Sequence, residues 1–380
     1  MAEHQRPVQG SMPIPALHFP DPIRSSPMTA SHAAVSAHAR KRRRLSRWVL
    51  LPALALAMCT PAVAAPAFAH GKPAAGLQAE LDRITAPFDG QIGVYVLDLD
   101  SGRTASVNPQ IGFPMASTVK VPVAVHILSL VDEGKLDLQR PVVLKAEDIY
   151  PGMGGPIDTH LTPGSAITVH DLLHMMLTVS DNNATDILIK LGGGTAAVAA
   201  RLHALGIEGI RVDRYIWEML ANFYGDASAS QAAPLSPAAY ARLEAQHHDS
   251  AESRALRLAY DADPRDTSTP AGMAALLSRV WQGKVLKPAT TAVLESIMLD
   301  CRTGRQRLKG MLPDATPVAH KTGSVDDVAN DVGVITLPSG RGRVVIAVFE
   351  KSEQDDAAKD RMMAQVARAA HDYFLFAGRE

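Results

Sequence analysis

The sequence predicts an α+β protein: an antiparallel sheet built from both chain ends, flanked by terminal helices, with a central all-helical lobe. Two observations carry this. Apolar segments of strand length sit early in the folded part, at residues 91–98 and 103–107, and again late, at 317–322, 328–337 and 343–350. Between them lie longer apolar runs with helix start and stop signals. Hairpin signals at Asp100-Ser101-Gly102 and at Pro338-Ser339-Gly340-Arg341-Gly342 make neighbouring strands antiparallel.

The chain has 380 residues, 47% apolar, with a formal charge of −1. That is enough to bury a substantial core, and the near-neutral balance gives no electrostatic case for nucleic acid. The first part reads differently from the rest. A basic block at 38–47 precedes an apolar run at 48–64, and the small-x-small sites Ala62-Val63-Ala64 and Ala67-Phe68-Ala69 follow. That order is a secretory signal peptide. The competing reading, a membrane anchor, is weakened by Pro52 and Pro61 and by the short run. We therefore expect an N-terminal extension and signal over 1–69 and a folded domain over 70–380. Its sheet lobe would be 70–112 with 318–380, and its helical lobe 113–317. The mature chain is expected to be periplasmic or secreted, with no stable membrane span. Cys59 leaves with the signal and Cys301 remains alone, so no internal disulfide is expected.

In chain order, residues 74–85 read as an amphipathic helix, and the first strand pair follows. Next comes Phe113-Pro114-Met115-Ala116-Ser117-Thr118-Val119-Lys120, continued by an apolar run to Val131. On a helix Ser117 and Lys120 share a face. A run apolar nearly all round reads as buried, where a lysine amine loses its proton more readily. One Ser-x-x-Lys is expected by chance in about this length, so the motif alone is weak.

Thr168 and Asp171 mark a helix start. Ser180-Asp181-Asn182 interrupts that helix, which resumes over 184–191 and is stopped by Gly192-Gly193-Gly194. Thr269-Pro270 opens another helix over 271–281, and residues 356–376 close the chain as a helix.

Ser117-x-x-Lys120, Ser180-Asp181-Asn182 and Lys321-Thr322-Gly323 form an ordered triple. On these motifs the domain resembles the class A serine β-lactamase family over nearly its whole length. The resemblance implies Ser117 as the acylated nucleophile, Lys120 as its proton acceptor or relay, and Ser180 as proton donor to the leaving nitrogen. It implies Asn182, Lys321, Thr322 and Ser324 as substrate contacts, the N–H groups of Ser117 and Ser324 forming the oxyanion hole. Arg307 is expected to supply the charge that many relatives place after Lys-Thr-Gly; its competing reading is a solvated arginine on a basic turn. The implied substrate is a small β-lactam and the implied state a monomer, with no cofactor and no metal.

One departure concerns the deacylating base. Relatives carry a Glu two residues after an Arg in an Ω-shaped loop, and here Arg214-Tyr215-Ile216 puts Ile216 at that place. Glu218 comes two residues late and keeps the family spacing to Asn222. Either the loop is longer and Glu218 is the base, or the base is gone. Asp266 is implied as the partner of Arg214. An extra segment over about 223–262 intervenes, with a helix start at Ser236-Pro237; it would be a lid or tolerated growth at a loop. Its His247-His248 pair does not face one way on a helix, so no metal site is expected there. Three functions remain open: β-lactam hydrolysis, a peptidoglycan DD-peptidase-like amidase, or a β-lactam-acylated sensor that deacylates poorly.

Overall fold

A computed structural model describes residues 72–231, 234–246 and 251–376. The signal-peptide reading, Cys59 and the His247-His248 pair lie outside the described residues. Among the described residues no helix is long and apolar enough to cross a membrane.

The protein is α+β, with a five-stranded antiparallel sheet. Across the sheet the strands run Thr104–Val107, Gln91–Asp98, Arg343–Lys351, Val328–Thr336 and Val318–Val325. The central strand therefore comes from late in the sequence and pairs on one side with the first strand, Val94 opposite Val348, and on the other with Val332 opposite Ala347.

Side chains alternate along a strand, and Arg343–Lys351 uses both faces. Val345, Ala347 and Phe349 join the core shared with the helical lobe, while Val344, Ile346 and Val348 join a second core. That second core packs beneath the terminal helices Ala75–Thr85 and Asp356–Phe376 through Leu77, Leu81, Met363, Val366 and Phe374. With both faces covered, the strand reads as an unbroken apolar run rather than an alternating one.

Lys120–Asp132 is the central helix of the other lobe. All residues from Lys120 to Ser129 are buried, as an apolar surface on every side requires. Around it stand Val169–Thr178, capped by the Thr168 hydroxyl accepting from Asp171 N, and Asn182–Leu191, capped by Asp181. Pro270–Trp281 begins where Thr269 caps Gly272 N. The segment read as an Ω-loop holds a helix, Ile216–Phe223, that the sequence reading did not separate from the loop. The extra segment forms helices Pro237–Gln246 and Ala251–Ala262. The first packs inward through Tyr240, which is fully buried and meets Tyr150 edge-on at 5.6 Å.

Candidate active site

Ser117 lies in a 3-10 turn, Ala116–Val119, that leads straight into the Lys120 helix. Ala116 just before it has φ of +45°, a left-handed conformation costing about 1–3 kcal/mol in a residue with a Cβ. Two contacts hold this turn against the sheet. Asn330 donates Nδ2 to the carbonyls of Pro114 and Met115 at 2.9 and 3.0 Å. Gly323 passes so close that a Cβ there would stand 2.6 Å from Met115 O and 3.1 Å from Ser117 N. A glycine is therefore needed for the Lys321 strand to lie beside the nucleophile's backbone.

Lys120 is fully buried. Its Nζ lies 2.9 Å from Ser117 Oγ, 2.9 Å from Ser180 Oγ, 2.8 Å from Ser180 O and 2.6 Å from Asn182 Oδ1. An ammonium has three protons to donate, and four oxygens surround this one. The neutral amine fits the geometry differently, because its lone pair can accept from a hydroxyl. Burial holds the Lys120 amine well below its usual range, and the nearby Lys321 ammonium pushes the same way; Asp181 and Asp186 oppose.

Ser180 has φ of +62° and sits just before the Asp181 cap. The Asp181 carboxylate accepts from Ile157 N and Ala184 N at 2.9 and 2.8 Å, which fixes the turn. Asn182 donates Nδ2 to Met153 O at 2.7 Å, so its Oδ1 turns toward Lys120. From the sheet side Lys321 Nζ reaches Ser180 Oγ at 3.1 Å. Lys321 is fully buried, and burial brings its amine down to about 8. Ser117, Lys120, Ser180, Asn182 and Lys321 thus form one hydrogen-bonded group drawn from three separate stretches.

Thr322 Oγ1 meets Thr303 Oγ1 at 2.6 Å. Arg307 is 8% exposed, so it is not a solvated arginine. It donates Nη2 to Ser324 Oγ at 2.7 Å, Nη1 to Gly323 O and Asn330 O, and Nε to Asp360. In this arrangement it braces the Lys-Thr-Gly strand from behind and touches the cleft through Ser324.

The structure does not bring Glu218 into this group. Glu218 is the third residue of the helix Ile216–Phe223, whose N-cap is Tyr215. Its carboxylate lies close enough to Tyr215 N and the Gln231 side chain for both to favour the charged form, although neither caps it with a bond of normal geometry. Its Oε2 is buried without a hydrogen-bond partner, and burial raises the carboxyl above its ordinary range. Asn222 does not hold Glu218 either; it accepts from Arg214 Nη1 at 3.0 Å and donates to Asp226 O and Ala229 O. Arg214 and Asp266 do meet, Nε to Oδ2 at 2.6 Å, with both side chains buried.

Asp186, which the sequence reading missed, anchors the loop instead. Its oxygens accept from Ile216 N at 2.6 Å and Trp217 N at 2.9 Å. Burial pushes its carboxyl up to about 7, against those two hydrogen bonds and the Lys120 charge. A signal was available: Asp186 lies four residues after Asn182, on the same helix face.

The model of the β-lactamase enzyme family matches residues 76–374 of this chain. The chain belongs to that family. β-Lactamase VEB-1 of Pseudomonas aeruginosa is 28% identical over 308 residues, covering 79% of this chain and 90% of VEB-1. A β-lactamase crystal structure from Chitinophaga pinensis superposes with a TM-score of 0.64 at 29% identity, covering 78% of this chain and 98% of that one. A mutant of PBP-A, in an acyl-enzyme complex with penicillin G, superposes with a TM-score of 0.64 at 25% identity. It covers 80% of this chain and 98% of that one. These neighbours place the chain among class A serine β-lactamases. Among the described residues no group of three or more His, Cys, Asp or Glu stands ready to hold a metal.

Proposed function

We propose that this β-lactamase opens β-lactams by acylation on Ser117, and that the acylation step outruns deacylation. The observation that carries the first half is the Lys120 amine at 2.9 Å from both Ser117 Oγ and Ser180 Oγ, in a setting that favours its neutral form. Lys120 takes the Ser117 proton as Oγ attacks the lactam carbonyl. The proton passes through Ser180 to the departing nitrogen. Lys321 orients Ser180 and sets positive charge beside the substrate carboxylate, with Thr322 and Ser324 on the same strand. Backbone N–H groups of Ser117 and Ser324 receive the oxyanion, a contribution of about 3 kcal/mol for each such donor.

The second half rests on the loop. Ile216 and Trp217 turn their N–H groups onto Asp186, and Glu218 sits buried in the first turn of the helix they open. Glu218 acting as base has in its favour a raised carboxyl and one uncommitted oxygen. Against it stands the absence of any hydrogen bond to Lys120, Ser117 or Asn182 among the described residues. We read the protein as exported, on the basic, apolar and small-residue order of its first 69 residues.

Intact-protein mass spectrometry with benzylpenicillin, followed over time, tests both halves. A penicilloyl adduct that persists for many minutes while product accumulates slowly is the expected result. An adduct that vanishes within the first turnover times would give Glu218 back the role of base, and no adduct would remove the β-lactam reading.

A further inference from the structure

Behind the Lys321 strand lies a second cluster of reactive groups that the acylation chemistry does not use. His320 precedes Lys321 and is fully buried. Its Nδ1 pairs with Asp331 on the neighbouring strand, at 2.9 Å to Oδ1 and 3.0 Å to Oδ2. Asp331 Oδ2 also accepts from Leu308 N. The other ring nitrogen, Nε2, is buried with no hydrogen bond of normal geometry, and the imidazole acts on the free thiol of Cys301. A carboxylate is thus paired with an imidazole whose free nitrogen is buried, and the thiol is near enough for the two to shift each other's titration.

Cys301 also opens onto a cavity of about 440 Å³. Arg302, Arg305 and Lys309 line it, with Asp300 and Asp314 as the opposing carboxylates. On its inner side the sulfur lies 3.4 Å from Thr303 Oγ1, and that hydroxyl lies 2.6 Å from Thr322 Oγ1. The thiol therefore stands between a basic cavity and the arm of the cleft that carries Thr322.

We propose that Cys301 is a modification site that exchanges with small carboxylate-bearing disulfides entering this cavity, and that the mixed disulfide disables the Thr322 arm of the active site. The Cys301 thiolate attacks one sulfur of the incoming disulfide. A new S–S bond forms as the old one breaks, its electron pair leaving with the departing sulfur as a free thiolate. His320, charged through Asp331, stabilises the attacking thiolate, and the cavity's arginines attract the carboxylates. The charges are consistent with this. Burial pushes the thiol up, but His320, Lys321 and Thr303 outweigh it and leave it at about 7, near the value at which exchange is fastest at neutral pH. The Asp331 carboxylate raises His320 despite its burial. An added group on Cys301 displaces Thr303, and with it the partner of Thr322.

The test uses the full chain with 5,5′-dithiobis(2-nitrobenzoate) as the anionic disulfide and cystamine as the cationic one. Peptide mapping by mass assigns the adduct to Cys301 rather than Cys59. We expect Cys301 to be labelled about tenfold or more faster by the anionic reagent, since three cationic side chains against two carboxylates leave the cavity net positive. Replacing both Arg302→Gln and Arg305→Gln should erase most of that preference. His320→Asn should move the midpoint of iodoacetamide alkylation upward from about 7 by about one unit or more. Labelled protein should lose most of its acylation by benzylpenicillin and recover it with dithiothreitol, while Cys301→Ser is acylated normally with or without the reagent. Equal rates for the two disulfides, or a thiol that reacts only after denaturation, overturn the site. An adduct that leaves acylation unchanged overturns the switch. Labelling is read by mass on Cys301 itself, so it is decided even if untreated protein fails to react with penicillin.

Discussion

The two sides of the cleft use polar side chains in different ways. On the Lys120 side, side chains bond to one another: Lys120 to Ser117, Ser180 and Asn182, and Lys321 to Ser180. On the Arg214 side, carboxylates and amides bond mainly to backbone. Asp186 holds Ile216 N and Trp217 N, Asp266 accepts from Asp213 N and Arg214 N, and Asn222 donates to two carbonyls. Protons can move between side chains whose affinities are close, whereas a side chain committed to peptide groups fixes the path of a loop. The first side is arranged for chemistry and the second for architecture.

The largest expected effect breaks the first side outright. Ser117→Ala should abolish the penicilloyl adduct in intact-protein mass spectra, and an adduct on that variant would move the nucleophile elsewhere. Next, Lys120→Ala should slow acylation by about 10²–10⁴-fold, the usual range for a positioned general base. The parent rate should fall as pH drops through the lowered Lys120 value, because only the neutral amine accepts the Ser117 proton. In stopped-flow traces the variant should lose that dependence. A variant that keeps the parent profile would assign the titration to another group.

Asp186→Ala sharpens the second side. It leaves two buried N–H groups without their acceptor, at about 1–3 kcal/mol each, while removing one raised carboxyl. We expect a Tm lowered by several degrees with Ser117 still acylated; loss of acylation in a folded variant would make Asp186 part of the chemistry. The sign of the pH dependence follows from the raised Asp186 value. The folded state keeps its proton up to about 7 and the unfolded state loses it near 3.8, so this residue weakens stability as pH rises between those values. Denaturant midpoints of the parent against Asp186→Asn, taken from pH 4 to 8, read that slope directly.

The smallest effect belongs to Glu218→Gln. Gln keeps the size and an acceptor oxygen of Glu218 at a buried position, so stability should shift by less than about 1 kcal/mol. Adduct lifetime should change little, and a lifetime lengthened about tenfold or more would place Glu218 in the deacylation step.

The extra segment shows where the sequence reading ran out. Its helix start at Ser236-Pro237 is legible, but the residues alone fit a lid and tolerated growth equally. Tyr240 is fully buried against Tyr150, whose backbone is paired with Asn183 in both directions and whose hydroxyl donates to Leu235 O. The helix therefore braces the 148–155 loop, whose Met153 carbonyl sets the Asn182 amide. One aromatic residue in a polar run carries too little periodicity to announce that contact.

By itself, the sequence determined the α+β class, the strand pairs, the caps at Thr168 and Thr269, and the three motifs. Each of these depends on residues close together in the chain, where period and capping chemistry act directly. Tertiary structure alone decided which groups surround Glu218, Arg307, Asp186 and Cys301. Glu218 had two local options, a base in a loop or the third residue of a helix, and the helix formed because Asp186 arrived from another segment to hold its first N–H groups. Arg307 reads from the sequence as a charge near the substrate, and packing adds bonds to Asp360, Ser324 and Asn330 that no local pattern announces. Cys301 reads from the sequence only as a cysteine without a disulfide partner, and the pairing of His320 with Asp331 near it comes from two strands. Such roles are fixed by partners far apart in sequence, whose meeting depends on packing.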